Sequence, residues 1–595
     1  MRKELNWWTA GTAPGTASRI ERIPEGISRT ASIDDNMIFP TSKKEMQALG
    51  WRQCDVIIVS GDAYADHPSF GTAVIARVLE SEGYKVGILD QPDWKDDADI
   101  RRLGEPRLCF AVTAGNIDSM VAHYTVNRKK RHDDAYTPGG MAGKRPNRAS
   151  IVYTNLLQST FRGVPVILGG VEASLRRMAH YDYWNDKVRR SILLDSKADL
   201  LIYGMAEKPV KEVLRRLAEG EAVRKIRDVP GTVCREDTVG DGGIELPAFQ
   251  KVSVDKKAFN TMTRLQYENR IHPYAKPLYQ QHGRQIIRIN PPPEPMSTEE
   301  MDAVYDLPFT REPHPKYREK IPAWEQIKSS VTAHRGCFGN CAFCAITFHQ
   351  GPRIQSRSHD SVLKEVREMS KRSWFRGTVS DIGGPTANMY GIRCAIGGCK
   401  TMHCIYPEIC KHLRVTDQEK YVKLLEDAAK LPGVKHVFIA SGLRHDLALA
   451  DLPAMEKMVS EFTGGHLKIA PEHLAGEVTR VMNKPGGKVY FDFLEKFREF
   501  SEKAGKEQYI VPYFISGHPG CTDAMMRELQ KSLKQSNHRL QQAADFYPTP
   551  MTLATAMYHT GFHPLTGEKL HVPKSDREKR RQFSMMMWHK KPERK

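Results

Sequence analysis

Hydrophobic positions between about residues 51 and 230 follow two alternating spacings. Short apolar runs suit strands buried on both faces, namely CDVIIVSGDA, KVGILDQP, RLCFAVTAG, VPVILGG and ADLLIYGMA. Between them, FGTAVIARVLESEGY and KPVKEVLRRLAEG place apolar residues at helical spacing, and Gly83 is positioned to end the first helix. Strands that alternate with helices predict a doubly wound, Rossmann-like α/β domain over residues 51–230.

A second alternating region covers residues 326–545. Its candidate strands are IKSSVTAHRG, GTVSDIGG, VKHVFIASG, HLKIAPEH and YIVPYFISG. The repeat is about long enough for a partial (β/α) barrel, whose sites lie at the C-terminal ends of the strands. The other segments are predicted to be less regular: an arm over residues 1–50, a proline-rich connecting region over residues 231–325, and an extension over residues 546–595 with a basic, disordered tail.

Composition limits the class of protein. The 595 residues exceed what one core usually serves, and 40% hydrophobic and 27% charged residues are typical of globular chains. No apolar run of membrane-spanning length and no signal peptide is evident, so we expect no membrane partner and a cytoplasmic location. The charge of +18 is compatible with an anionic partner such as RNA, but base-reading motifs are absent and much of the excess lies in the tail and in residues 127–148.

Seven of the eleven cysteines lie between positions 337 and 410, which indicates metal ligands rather than a disulfide framework. The segment HRGCFGNCAFCAI spaces Cys337, Cys341 and Cys344 as C-x3-C-x2-C after a predicted strand. Three thiolates on a [4Fe-4S] cluster leave one iron open to a small molecule, whereas structural zinc normally takes four protein ligands. An iron-sulfur site is the leading interpretation; zinc and unligated thiols are the alternatives.

The motif resembles the signature of the radical S-adenosylmethionine (SAM) superfamily. Further segments, including SDIGGPTANMYG, HLKIAPEHLAGEVTRVMNKP, YIVPYFISGHPGC and FYPTPMTLATAMYHTG, resemble its YgiQ-type branch over about residues 50–565. The resemblance implies a Rossmann-like, cobalamin-binding-like domain followed by a partial (β/α)6 TIM-type barrel. It also implies a [4Fe-4S] cluster, SAM, its reductive cleavage to a 5'-deoxyadenosyl radical, and a reductant such as flavodoxin or ferredoxin.

The resemblance also assigns cofactor-binding residues. Phe343 is expected near the SAM adenine, with packing around the cluster as the alternative. Gly383 and Gly384 match the glycine segment that meets the SAM amino group, although Pro385 replaces a common glutamate. Ser441 is expected near ribose or carboxylate and Ser516 near adenine.

Glu472 and His473 follow a predicted strand, so either side chain serves the substrate at the barrel mouth or caps the next helix.

Four further cysteines, Cys394, Cys399, Cys404 and Cys410, lie in an insertion over residues 394–410. Their spacing matches neither a zinc ribbon nor a ferredoxin. An auxiliary iron-sulfur cluster is the first interpretation, then zinc, then reduced thiols without a metal; His403 or His412 could replace one cysteine.

Cobalamin is less expected as a cofactor than the [4Fe-4S] cluster and SAM. Related enzymes carry a D-x-H-x-x-G signature, and the closest match here, Asp66 to Gly71, lacks the spacer before His67. An ordinary loop histidine is the favoured interpretation, and cobalamin without a histidine ligand stays open. Gly169 and Gly170 end another strand, where doubly wound sheets bind ligands.

These features together predict a radical SAM enzyme with an unknown substrate. The rival predictions are a non-catalytic metal-cysteine protein that binds RNA and an oxidoreductase that uses clusters only for electron transfer. An open coordination site argues against the first rival, because a structural role would not use it.

Overall fold

The computed structural model describes residues 38–540 and 543–590. Most of the predicted N-terminal arm therefore lies outside the described residues, as do residues 591–595 of the predicted tail. Within the arm, residues 43–48 form a short helix that Ser42 caps by accepting a hydrogen bond from the Glu45 N–H.

Nine strands of the described chain form one large sheet in the order β2-β1-β3-β4-β7-β8-β11-β10-β9. The strands β2, β1, β3, β4 and β7 run parallel. Each of β8, β11 and β10 is antiparallel to the strand before it in this order, and β9 is parallel to β10. A small separate hairpin contains β5 and β6. The bounds are β1 (Val56–Ser60), β2 (Val86–Asp90), β3 (Cys109–Thr113), β4 (Val166–Leu168), β5 (His180–Asp182), β6 (Lys187–Arg189), β7 (Leu200–Ile202), β8 (Thr232–Glu236), β9 (Ile244–Leu246), β10 (Leu278–His282) and β11 (Gln285–Ile289).

Helices accompany this sheet, and those over Gly71–Ser81 and Glu207–Ala218 lie in the two segments whose apolar spacing predicted a helix. The second helix buries Ala73, Val74, Val78 and Leu79, and Gly83 follows it with a φ of 87°. The bounds are α1 (Lys43–Ala48), α2 (Gly71–Ser81), α3 (Ser119–His123), α4 (Ala149–Thr160), α5 (Gly170–Ser174), α6 (Ile192–Ser196), α7 (Glu207–Ala218), α8 (Phe249–Val254), α9 (Lys256–Glu268), α10 (Thr298–Tyr305) and α11 (Pro322–Ile327).

The predicted connecting region, residues 231–325, differs from the structure. It contributes β8 to β11, which extend the large sheet to Ile289. The strands are short and interrupted by glycine and proline, so their apolar pattern alone did not reveal them. Pairing with β7, whose edge would otherwise be open, supplies the partner that fixes them as strands.

A second set of parallel strands follows. β12 pairs with β16, β15 with β17, and β18 with β19, which pairs with β20; a bridge from Leu443 to Ile469 connects the two groups. Counting the interrupted pair β15 and β16 as one strand gives six positions within the described chain, as a partial (β/α)6 barrel requires. The bounds are β12 (Ser330–Thr332), β13 (His334–Arg335), β14 (Gln355–Ser356), β15 (Thr378–Val379), β16 (Asp381–Gly383), β17 (His436–Val437), β18 (His466–Glu472), β19 (Tyr509–Ser516) and β20 (Ala544–Asp545).

Helices connect these strands. Their bounds are α12 (Ile346–His349), α13 (His359–Ser370), α14 (Gln418–Ala429), α15 (His445–Leu449), α16 (Leu452–Ser460), α17 (Gly476–Met482), α18 (Gly487–Lys503), α19 (Asp523–Gln535), α20 (Leu553–Thr560) and α21 (Asp576–Met586). The predicted fold class, a doubly wound domain followed by a partial barrel, is confirmed.

The C-terminal segment is more ordered than the sequence predicted. Residues 576–586 form α21, in which Lys579, Gln582 and Met586 are buried. Gln582 accepts a hydrogen bond from the Gly517 N–H at 3.0 Å and donates to the Cys521 carbonyl at 3.2 Å. The high charge suggested a solvated tail, but the residues of one helical face are held by contacts with distant strands and helices.

None of the helices in the described residues is both long and apolar enough to cross a membrane.

Candidate active site

The loop with the first three cysteines begins directly after β13. Gly336 has a φ of 84°, and a Cβ there would lie 1.9 Å from the carbonyl oxygen of Arg353, so only glycine fits. Its N–H donates to the side-chain oxygen of Gln350 at 3.1 Å. The segment that returns after α12 therefore fixes the start of the cysteine loop.

Gly339 lies between two of the sulfurs. Its N–H donates to Cys337 Sγ at 3.3 Å, and a Cβ there would lie 3.1 Å from Cys337 Sγ and 3.5 Å from Cys341 Sγ. The N–H of Cys344 donates to the Cys341 carbonyl at 3.0 Å, which turns the chain back toward the other two cysteines. All three cysteines are half-buried. The loop thus gathers three thiols around one short stretch of backbone.

The electrostatic surroundings of these thiols are mixed. Burial raises the pKa of Cys337 to about 11 and also raises the pKa of Cys344, and the charge of Cys341 adds to both effects. Arg444 opposes this for Cys337 and donates from Nη1 to Cys341 Sγ at 3.5 Å. Asp446 holds the guanidinium through bonds of 2.7 and 2.9 Å. A thiolate at this loop therefore has a fixed cation beside it.

Sequence reasoning missed Arg444. The available signal was its position three residues after Ser441, beyond a strand end at the predicted barrel mouth.

The two predicted glycines lie where side chains have no room. A Cβ on Gly383 would lie 2.4 Å from Ser441 Oγ, and one on Gly384 would lie 2.6 Å from His334 Nε2. The Ser441 hydroxyl donates to Asp381 at 3.1 Å, and Asp381 also accepts the backbone N–H of Ser441 at 2.9 Å. The structure therefore brings Gly383, Gly384 and Ser441 together, and Asp381 fixes the serine.

Phe343 and Ser516 lie near the end of β19. The ring of Phe343 packs edge-on against His518, with centroids 6.0 Å apart. Ser516 is fully buried, and its hydroxyl donates to Asp545 at 2.6 Å. Ser516 is thus held by a protein carboxylate, although its oxygen can still accept a hydrogen bond.

Glu472 and His473 have different environments. Glu472 is buried with a φ of 67°, and its carboxylate lies 3.9 Å from the Lys484 ammonium. Burial raises the pKa of Glu472, and the negative charge of Glu472 contributes to the raised pKa of Cys344. One of its carboxylate oxygens has no partner among the described residues. His473 accepts the N–H of Ala475 at 3.0 Å, just before α17. Glu472 therefore faces the cysteine loop, whereas His473 closes the turn into a helix.

The second set of cysteines occupies an irregular loop that packs over the first motif. Asn340 donates to the Met402 carbonyl at 2.6 Å, and Cys404 shares an apolar cluster with Phe338. Burial and the charges of Cys399, Cys394 and Cys410 raise the pKa of Cys404 to about 12. The charges of the other three thiols therefore act on Cys404.

In the described part of the chain, no three His, Cys, Asp or Glu side chains converge as ligands of a single metal ion. This does not count against a [4Fe-4S] cluster, because each of its thiolates binds a different iron atom.

A central chamber of about 820 Å³ separates the large sheet from the barrel. The first side is formed by the carboxyl ends of β3, β4 and β7, where a doubly wound sheet binds its ligands. The opposite side includes Thr332, Gly383 and Gly384 at the carboxyl ends of β12 and β16. Such a volume accommodates a molecule of cofactor or substrate size.

His67 is buried and does not line this chamber, although Pro68 and Ser69 do. Its Nδ1 accepts the Ser69 N–H at 3.1 Å, which suits a loop histidine, while Nε2 has no partner within the described residues. Gly169 and Gly170 line the chamber at the end of β4.

Family models match nearly the whole described chain. The Radical SAM N-terminal model matches residues 38–330, the Radical SAM superfamily model residues 331–533, and a domain of unknown function, DUF3362, residues 541–593. Two curated relatives are similar over most of their lengths. A UPF0313 protein of Methanocella arvoryzae is 50% identical, and one of Geobacter sulfurreducens is 51% identical; each alignment covers 93% of both chains.

Solved structures of more distant proteins have a similar outline. The radical S-adenosylmethionine methyltransferase TsrM from Kitasatospora setae, with cobalamin and a [4Fe-4S] cluster bound, has a TM-score of 0.48 at 14% identity, covering 84% of this chain and 77% of that one. The cobalamin-dependent S-adenosylmethionine radical enzyme OxsB has a TM-score of 0.45 at 10% identity, covering 86% of this chain and 56% of that one. These similarities are too remote to identify a ligand of this chain.

The two-part fold and the matching domain models define a radical SAM enzyme, whose class uses a [4Fe-4S] cluster, SAM and an external reductant. The chain belongs to the UPF0313 family.

Proposed function

We propose that Cys337, Cys341 and Cys344 hold the [4Fe-4S] cluster of this enzyme. The carrying observation is that Gly339 contacts the sulfurs of both Cys337 and Cys341, while Arg444 donates to Cys341. The donor set fits such a cluster because it consists of three thiols and leaves one iron without a protein ligand. When bound, the cluster supplies the electron that cleaves SAM to a 5'-deoxyadenosyl radical.

We further propose that SAM lies along the surface formed by Gly383, Gly384 and Ser441. With no side chains of their own, the glycines pack closely against Ser441 and His334 and leave their backbone beside the central chamber, and Asp381 orients the serine. Phe343 and Ser516 would hold the adenine end, where the edge-on contact with His518 fixes the aromatic ring. The central chamber, which Gly383 and Gly384 line, would hold the substrate beside them and limit the access of bulk water.

The test is SAM cleavage by anaerobically purified protein reduced with dithionite. We expect 5'-deoxyadenosine from the natural chain, none from Cys341→Ala, and little change with Cys234→Ala, a cysteine of β8 in the large sheet. If the natural chain leaves SAM intact, or if Cys341→Ala still cleaves it, the proposed site is wrong. Redox turnover that continues without SAM would instead support an electron-transfer protein.

We propose that Cys394, Cys399, Cys404 and Cys410 bind an auxiliary iron-sulfur cluster. Support comes from the electrostatic effect of the other three thiols on Cys404 and from the packing of this loop over the first motif. About eight irons per chain are expected, falling to about four in Cys399→Ala/Cys410→Ala. About four irons in the natural chain would refute the proposal, and stoichiometric zinc would assign the zinc alternative.

Cobalamin is the less expected ligand of the Rossmann side of the central chamber, because the sequence lacks the complete histidine signature. Added hydroxocobalamin should co-purify and keep its visible spectrum if the chamber holds it.

A flavodoxin or ferredoxin is the proposed reductant. We propose a cytoplasmic location, because seven of the eleven cysteines are clustered like metal ligands rather than spaced like a disulfide framework. RNA as the substrate is the weaker option, since only the net charge favours it.

A further inference from the structure

A side pocket of about 100 Å³ lies outside the proposed SAM surface. It is enclosed by the chain after β7, the end of α9, the proline-rich segment 291–295 and residues 347–355 beyond the cysteine loop. This space holds several water molecules or one small ion. The side pocket is therefore sized for a chemical group rather than for a whole cofactor.

Arg177 lines this pocket with a buried guanidinium that has no carboxylate partner among the described residues. One of its nitrogens donates to the Ser174 carbonyl at 2.7 Å, and its charge lies 4.4 Å from the centre of the Tyr203 ring. Its Nε has no hydrogen-bond partner in the described chain. Burial without a counter-ion lowers the pKa of Arg177 to about 10. A charge in this position is costly unless an anion joins it.

Arg270 repeats the arrangement on another wall of the pocket. It is 8% exposed, donates to the Tyr267 carbonyl and donates to the Asn340 side chain at 3.0 Å. Its Nε is also buried without a partner in the described residues. Burial lowers the pKa of Arg270. The group that opposes this effect is Tyr267, and no carboxylate contributes.

The remaining charges at the pocket do not neutralise these arginines. Glu207 forms its ion pair with Arg335, and Lys208 forms one with Glu300. A third arginine, Arg353, also has a buried Nε without a partner among the described residues, but its charge acts on Cys399 and Cys404 of the second set of cysteines. Glu294 also borders the pocket but forms no ion pair with an arginine in the described chain. Cationic groups thus remain in excess.

The side pocket lies next to the central chamber. Gly204, Met205, Glu207, His349 and Gln350 line both spaces. A molecule could therefore place one end among the arginines while its other part extends toward Gly383 and Gly384.

We propose that the side pocket binds an oxyanion group, phosphate or carboxylate, of a small-molecule substrate whose reacting part lies in the central chamber. Arginine suits this role because its planar guanidinium binds two oxygens at once. The inference rests on the proposed function for the reacting part, whereas anion binding itself needs neither SAM nor reduction.

The experiment is calorimetric titration of the anaerobically purified, full-length enzyme with inorganic phosphate and separately with acetate, at constant ionic strength in chloride. We expect saturable binding of at least one of them. Arg177→Gln and Arg270→Gln should each weaken the Kd about tenfold or more, because each loses a charged hydrogen bond. Arg284→Gln is the matched control, since Arg284 is an exposed arginine of the β10–β11 turn.

Phosphate tighter than acetate would indicate a phosphorylated substrate, and the reverse a carboxylic acid. Equal heats from chloride, or equal Kd values in the variants and the control, would overturn the proposal. Arg177→Lys keeps the charge and should retain part of the binding, which separates the anion site from misfolding of Arg177→Gln.

Repeating the titration with saturating SAM distinguishes two anion sources. An unchanged Kd supports a substrate site, whereas abolished binding would assign the pocket to the SAM carboxylate and refute a substrate role. Cys341→Ala should still bind the anion. If the enzyme binds the anion but does not cleave SAM, only the proposed function is refuted. If it cleaves SAM but does not bind the anion, only this inference is refuted.

Discussion

Arg335 in β13 donates a hydrogen bond to Glu207 in the first turn of α7, and both side chains are almost fully buried. Arg335 lies two residues before Cys337, and Glu207 belongs to the Rossmann-like domain. Arg335 also donates to the Tyr305 hydroxyl at 3.0 Å. The start of the cysteine loop is therefore fixed against the other half of the molecule at a point that borders the central chamber.

Removing one partner of this ion pair should lower the free energy of unfolding far more than replacing both partners by apolar residues. Glu207→Leu leaves a buried guanidinium unpaired and should lower the free energy of unfolding by about 3–5 kcal/mol. Glu207→Leu with Arg335→Met should recover most of that loss. Urea unfolding of the natural chain, both single variants and the double variant measures the coupling. Additive losses in the double variant would show that the pair does not couple the two halves.

Gly384→Ala should weaken SAM binding without removing iron. A new Cβ would lie 2.6 Å from both the side chain and the carbonyl oxygen of His334, so the proposed SAM surface must shift. We expect the Kd for SAM to rise about tenfold or more, which corresponds to roughly 1.4 kcal/mol. Equilibrium dialysis with labelled SAM and an iron assay measure the two effects. Gly476→Ala is the control, since no atom lies within 4 Å of its new Cβ. Unchanged SAM affinity in Gly384→Ala would contradict the assignment.

Arg444 should raise the reduction potential of the proposed cluster. Its guanidinium is the cation beside Cys341, and a positive charge favours the more negative, reduced state. The single variant would leave Asp446 buried and unpaired, so we choose Arg444→Gln/Asp446→Asn. This double variant should lower the potential by tens of millivolts.

The measurement for this double variant is a redox titration followed by electron paramagnetic resonance, with Asp446→Asn alone as the control. A potential equal to that of the natural chain would show that Arg444 only supports the fold.

His282 should make the fold sensitive to acid. It is buried in β10, and its ring stacks on Phe249 with centroids 5.5 Å apart. Burial, together with the charge of Arg190, lowers its pKa to about 4, while Asp195 opposes this effect. Because the folded pKa lies below the ordinary value, the stabilisation is complete above about pH 6.5 and is lost as the pH falls toward 4.

The loss attributable to His282 is roughly 3 kcal/mol across this range. His282→Gln cannot titrate, so its stability should fall less steeply between pH 6.5 and 4.5. Urea unfolding of both proteins at several pH values tests this, and parallel pH profiles would exclude His282 as a contributor.

Much of the site was visible in the sequence because ligand spacing is local. The positions of Cys337, Cys341 and Cys344, and the glycines among them, follow from the short loop that carries them. Gly383 and Gly384 were named in advance because their segment resembles the glycine-rich segment of the family, and their contact with SAM stays a prediction. The alternating strand and helix patterns likewise determined the fold class, because burial on a parallel sheet imposes its own hydrophobic spacing.

Tertiary structure decided the rest. Arg444 reaches Cys341 across 103 positions of sequence, and Arg335 reaches Glu207 across 128, so no local pattern could pair them. Local patterns also did not predict β8 to β11, which are strands because they pair with an otherwise open sheet edge. Nor did they predict α21, because its sequence is highly charged although one of its faces is buried. The arginines of the side pocket read as ordinary surface charges in the sequence. Only folding buries them without carboxylate partners, because burial and neutralisation depend on which distant segments meet.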